Sequence, residues 1–199
     1  MAAEVGRNIS AALVEQPAED PAERARWAPF LHRMGETVIP NLGALQGRLR
    51  VNGLDVLHAR IACLLADGRD RSLSQRLPGW NDLLMPLTSE ASQIVPELAP
   101  APGEVCVTKT TDSALTGTNL RLVLHNMGIR HVVVAGIYTD QCISSTVRSL
   151  ADESFHVVVV EDCCAAATDG LHEQELAILN RIYCHVVTSA ELCAMMGLG

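Results

Sequence analysis

Aromatic side chains are scarce in this chain of 199 residues: Phe, Tyr and Trp together make up 3%. Its core must therefore be built from Leu, Val, Ile and Ala. A block of Lys and Arg is also missing, and the net charge is −8. Nucleic acid and anionic membrane surfaces are excluded as natural partners on that balance. No apolar run approaches the ~20 residues that a membrane span needs. The opening MAAEVGRNIS lacks the hydrophobic stretch of a signal peptide, so a cytoplasmic protein is expected. Seven cysteines are present, an odd number, and no CxxC pair occurs among them. That argues against a disulfide framework or a zinc site and for a reduced set of thiols. Internal repeats and low-complexity segments are absent as well.

What is present is a chain that is 48% apolar and 19% charged, the balance of a compact globular protein. One domain over residues 1–199 is expected. The stretch HVVVAGIYTDQCISST, residues 131–146, organises it. Val132, Val133 and Val134 form an unbroken β-branched run, which reads as a strand buried on both faces. From Cys142 onward Ile143, Val147 and Leu150 fall on one helical stripe. Cys142 thus sits where a strand gives way to a helix. The positive end of the helix dipole favours a thiolate there, and backbone N–H groups could hold an oxyanion.

Further strands are expected at Ile9–Val14, Leu54–Ile61, Val105–Thr108, His156–Val160 and His185–Thr188. Helical patterns cover Trp27–Arg50, broken at Pro40, then Thr118–Asn126, Leu171–Ile182 and a short C-terminal segment. Strands alternating with helices predict a parallel α/β sheet covered on both faces. Residues 62–104, rich in Pro and Gly, read as a long functional loop region or a contact surface.

In parallel sheets ligands gather at the carboxyl ends of the strands. Glu15, Lys109 and Cys142 lie at three such ends. They offer a base, a cation and a nucleophile: Glu15 would take the thiol proton and return it to a leaving amine. On spacing alone each has an ordinary alternative. Cys142 could be a small packing residue, Lys109 a snorkelling lysine and Glu15 a loop acid.

The segments VTKTTDSALTGTNLRLVLHNMGIRHVVVAG and GIYTDQCISSTVRSLADESFHVVVVEDCCAAATDG resemble, in order and spacing, the isochorismatase-like cysteine hydrolases. That superfamily includes N-carbamoylsarcosine amidases and ureidoacrylate amidohydrolases. The resemblance implies a three-layer αβα Rossmann-like fold with six parallel strands in the order 3-2-1-4-5-6. It further implies a Cys–Lys–Asp triad and a cis peptide at Ile137–Tyr138, with the N–H groups of Tyr138 and Cys142 forming an oxyanion hole. Tyr138, Gln141 and His58 are the candidate oxyanion and substrate-binding residues. A small-molecule amide substrate and a homodimer or homotetramer are implied too. The family's first strand usually ends in D-x-Q, where this chain has Leu13, Val14, Glu15 and Gln16. Glu15 is the nearest carboxylate. An isochorismatase-fold binding or scaffold protein, lacking the acid, is the alternative. LHARIACLLADGRD holds no D-x-H cluster, so neither a catalytic metal nor a cofactor is expected.

Overall fold

The computed structural model describes residues 21–81 and 83–198. The first strand expected from the sequence, Ile9–Val14, lies outside the described residues, as does Glu15. Helix α1 (Pro21–Arg33) runs through a π-helical turn (Met34–Val38) into α2 (Ile39–Val51). The two helices expected around Pro40 are present: the π-helical turn that divides them ends at Val38, and Pro40 lies in the first turn of α2. Strand β1 (His58–Ile61) pairs in parallel with β2 (Cys106–Lys109). After α3 (Leu120–Asn126) come β3 (His131–Ile137), a second π-helical turn (Thr139–Ile143) and α4 (Ser144–Asp152). Strand β4 (His156–Ala165), helix α5 (Asp169–Leu179), β5 (His185–Val187) and α6 (Ser189–Met196) complete the chain. β4 lies between β3 and β5, parallel to both.

The architecture is α/β with parallel sheets. Among the described residues there are five strands in two sheets, β1-β2 and β3-β4-β5, where the sequence predicted one sheet of six. A cavity of about 190 Å³ separates them. Asp55, Val56 and Leu57, which lead into β1, line it, as do His131, Val132 and Val133 of β3. Neighbouring residues of a strand point to opposite faces, so three in a row lining one space present a strand edge.

The scarcity of aromatics is met by an aliphatic core. Leu42, Leu98, Leu115, Leu120, Leu150 and Leu179 are among its fully buried members. β-branched runs, Val132–Val134 in β3 and Val157–Val160 in β4, suit strands that are covered on both faces. β4 is longer than the apolar run suggested, because Glu161 and Asp162 continue in strand conformation to Ala165. Asp162 is useful there: its carboxylate accepts from Ser189 N–H and Oγ, anchoring the start of α6. No helix among the described residues is long and apolar enough to cross a membrane.

Candidate active site

The carboxyl ends of β2 and β3 carry the site. Lys109 closes β2. Near the end of β3 the register with β4 shifts between Val134 and Gly136. Gly136 takes φ +126°, a backbone conformation that side-chain-bearing residues rarely adopt. The chain then passes through a cis Ile137–Tyr138 peptide into the π-helical turn that holds Cys142. The helical segment therefore begins at Thr139, three residues before the thiol, and Cys142 rides inside its first turn rather than at its edge. Isolated π-helical turns of this kind are frequent at functional sites.

Lys109 is the only lysine in the chain; every other Lys/Arg-type cation is arginine. It is 2% exposed, and its Nζ donates to the Thr111 carbonyl and to the Cys142 sulfur, both at 3.1 Å. Burying an ammonium costs several kcal/mol unless polar partners replace its water. The carbonyl and the sulfur are such partners. The sulfur itself is half-buried.

A carboxylate that the sequence reading passed over completes the cluster. Asp112 Oδ1 stands 3.9 Å from the Cys142 sulfur, which donates to it, and 3.4 Å from the Gln75 side-chain N–H. Its signal was proximity in sequence: Asp112 follows Lys109 by three residues in KTTDSAL. Gln75 comes from the long loop region and is buried. Asn81, from the same region, donates to Gln141 Oε1 at 3.1 Å. Residues 62–104 thus reach the site from above, and the partly exposed Gln141 lies at its rim.

Tyr138 follows the cis peptide and leads into the turn that holds Cys142. Its ring packs against Phe30, centroids 5.3 Å apart. Its hydroxyl is buried without a hydrogen-bond partner among the described residues. Burial pushes the phenol well above its usual range, with Cys142 and Asp140 adding to the effect. Thr139, fully buried, bonds His172 Nδ1 at 2.8 Å, and His172 Nε2 meets the Arg33 guanidinium at 2.9 Å. Arg33 can only donate, so His172 Nε2 accepts and Nδ1–H points at Thr139. Burial and the neighbouring guanidinium hold that imidazole neutral, its pKa lowered to about 4. The turn is thus pinned from behind by α1 and α5.

His58 is not brought to this cluster. It opens β1 beside Cys106, while Lys109 pairs with Ile61 at the other end. Three residues of strand separate them, about 10 Å. There His58 Nε2 lies 2.8 Å from Glu104, which Arg50 also grips through Nε at 2.7 Å and Nη2 at 2.9 Å. The cluster ties α2 to the start of the β1-β2 sheet and is structural. Among the described residues no group of three or more His, Cys, Asp or Glu could hold a metal.

The chain belongs to the isochorismatase family: residues 22–191 match the Isochorismatase domain. N-carbamoylsarcosine amidase of an Arthrobacter species is 28% identical over 158 residues, 74% of this chain and 57% of that protein. Ureidoacrylate amidohydrolase RutB of Rhizobium rhizogenes is 32% identical over 102 residues, 51% of this chain and 42% of that protein. The chain spans about half the length of the curated relatives it matches. Among solved structures, an isochorismatase family protein of Desulfovibrio vulgaris superposes with a TM-score of 0.73 at 29% identity, covering 80% of this chain and 84% of that one. One from Burkholderia thailandensis gives 0.74 at 27% identity, covering 82% and 85%.

Proposed function

We propose that this chain is a cysteine-dependent hydrolase that cleaves a C–N bond in a small amide or carbamoyl compound. One observation carries the reading: the sole lysine of the chain is buried against the Cys142 sulfur. An ammonium in that place favours the anionic sulfur, the form that attacks carbon. Cys142 Sγ adds to the substrate carbonyl carbon. The carbonyl oxygen takes up the negative charge and accepts from the backbone N–H groups of Tyr138 and Cys142. Collapse breaks the C–N bond, the nitrogen leaves as ammonia or an amine after gaining a proton, and a thioester remains. Water then adds to the thioester and the thiolate departs, giving the acid.

The relatives named as amidases and amidohydrolases act on carbamoylsarcosine and ureidoacrylate, and those two compounds head the substrate panel. Ammonia release from each, and from simple primary amides, tests the proposal. A Cys142→Ala chain that turns over as well as the unaltered one would sink it. Glu15 is the proton carrier that the sequence suggests, at the site's first strand end. We further propose that Ile9–Val14 form the central strand, between β1 and β3, which completes the order 3-2-1-4-5-6. The cavity between the two sheets supports that placement.

A further inference from the structure

We infer that Arg71 is a positioning residue: its guanidinium clasps the loop that reaches over Cys142 and so sets how tightly substrate is held there. The inference rests on the hydrolase reading of that site. The loop leaves the end of β1 and returns at the bridge between Cys63 and Pro86. Five of its large apolar residues, Leu64, Leu65, Leu73, Trp80 and Leu84, are exposed, so little apolar packing holds it in shape. Polar ties do that work. Asp70 accepts from the N–H groups of Leu64 and Leu65, which closes only the near turn. Arg71 reaches across the whole loop. Its Nε donates to the Gly68 carbonyl at 2.9 Å, and its Nη1 to the carbonyls of Gln75 at 2.8 Å and Leu83 at 2.6 Å. Gly68 makes room for this clasp. It takes φ +66°, and a Cβ there would stand 2.6 Å from Arg71 Nε and 2.6 Å from a Leu84 methyl.

The clasped loop touches the site at successive points. Ser72 N–H, next to Arg71, donates to the Thr110 carbonyl at 3.0 Å, between Lys109 and Thr111. Gln75, whose carbonyl Arg71 grips, sends its buried side-chain amide to Asp112 Oδ1. Asn81 donates to Gln141, the residue before the thiol. Each of these contacts is one hydrogen bond between neutral donors and the site, and each is weak against the entropy of ordering a loop. The charged donors of Arg71 supply the order from within. When only a fraction of molecules hold the loop in place, the apparent affinity for substrate falls by that fraction. Arg71 therefore acts on binding, through Gln75 and Asn81, and leaves the chemical step alone.

The experiment compares Arg71→Met with the unaltered full chain, well below the melting temperature of both. On whichever amide the unaltered chain hydrolyses, KM is expected to rise about tenfold with kcat within about twofold. Arg71→Lys is expected to recover only part of the loss, because an ammonium lacks the guanidinium fork. Limited trypsin digestion reads the loop without any substrate. Arg69 and Arg76 are exposed, and cleavage after them is expected to speed up about tenfold in Arg71→Met, tracking the population of the open loop. KM and cleavage should move together; either one unmoved overturns the inference, as does a fall in kcat with KM unchanged. If the unaltered chain turns over no amide, the hydrolase reading fails by itself. Cleavage then judges the clasp: a faster rate upholds it and an unchanged rate overturns it. Should Arg71→Met not fold, Gly68→Ala, whose methyl displaces the guanidinium, is read the same way.

Discussion

The Lys109 ammonium lies 3.1 Å from the Cys142 sulfur in a place where the lysine is only 2% exposed. So short a contact in so dry a place makes the charge of one group depend on the other. Lys109→Met is expected to lower kcat/KM for amide hydrolysis by about 10²–10³-fold, the usual loss when a buried charge-stabilising donor is removed. Lys109→Arg is expected to fare little better, because the guanidinium is planar, larger and not shaped for a point contact on sulfur. Steady-state kinetics on both variants checks this; an active arginine variant would show that any cation suffices.

The same neighbourhood should single out Cys142 among the seven thiols. Burial pushes the Cys164 thiol up to about 12 and Cys184 up to about 11, and raises Cys163 further still. Cys63 is buried as well. Substoichiometric iodoacetamide near neutral pH, read by peptide mass spectrometry, is expected to modify Cys142 first. The exposed Cys106 is the competitor to watch. Labelling of Cys106 ahead of Cys142 would leave the site without an activated sulfur.

Much of this arrangement was legible in the sequence because short-range rules govern it. The valine run of β3, the glycine that ends it and the helical stripe after Cys142 are local patterns, and Lys109 closes a recognisable strand. His58 was misplaced because LDVLHARI reads as one apolar run, whereas the strand starts only at His58. That moves the imidazole to the amino end of the sheet. Glu104, which fixes it there, sits 46 residues away in a Pro/Gly-rich stretch with no pattern to reveal the contact. Asp112 was missed for a related reason. An acid in a turn is usually a turn residue, and only the packing of that turn on α4 aims it at the sulfur.

Three titratable groups of the scaffold, the buried His172 and His58 and the half-buried Glu104, predict a one-sided pH dependence of stability. His172 is lowered to about 4 and His58 is lowered as well, burial being the main cause for each. The unfolded chain therefore binds these protons more readily, beginning near pH 6.5. Glu104 is lowered to about 2, chiefly by its hydrogen bond with Arg50. The unfolded chain again protonates first, below about 4.5. All three shifts have the same sign: stability is full above about pH 6.5 and falls as pH drops, with His172 acting down to about 4 and Glu104 down to about 2. Each of these two accounts for up to ~3 kcal/mol. Urea unfolding between pH 8 and 3 should show the decline, and Glu104→Gln should flatten its lower part. A profile level from pH 7 to 5 would contradict the buried neutral imidazoles.

Gln46 supplies a test of what lies between the two sheets. Its side chain is 1% exposed, lines the cavity, and finds no hydrogen-bond partner for either amide atom among the described residues. A buried amide left unpaired costs about 1–3 kcal/mol, so a native one is expected to have a partner. A strand laid between β1 and β3 would bring backbone N–H and C=O groups to that space. If Ile9–Val14 form it, Gln46→Leu strands those groups and destabilises the full chain by about 1–3 kcal/mol. If the space is empty, the same change removes two orphaned polar atoms and stabilises it. Hydrogen exchange gives the second reading, with slow amides expected across residues 9–14. Exchange there at the rate of an open chain, together with a stabilising Gln46→Leu, would remove the central strand and the route by which Glu15 could reach Cys142.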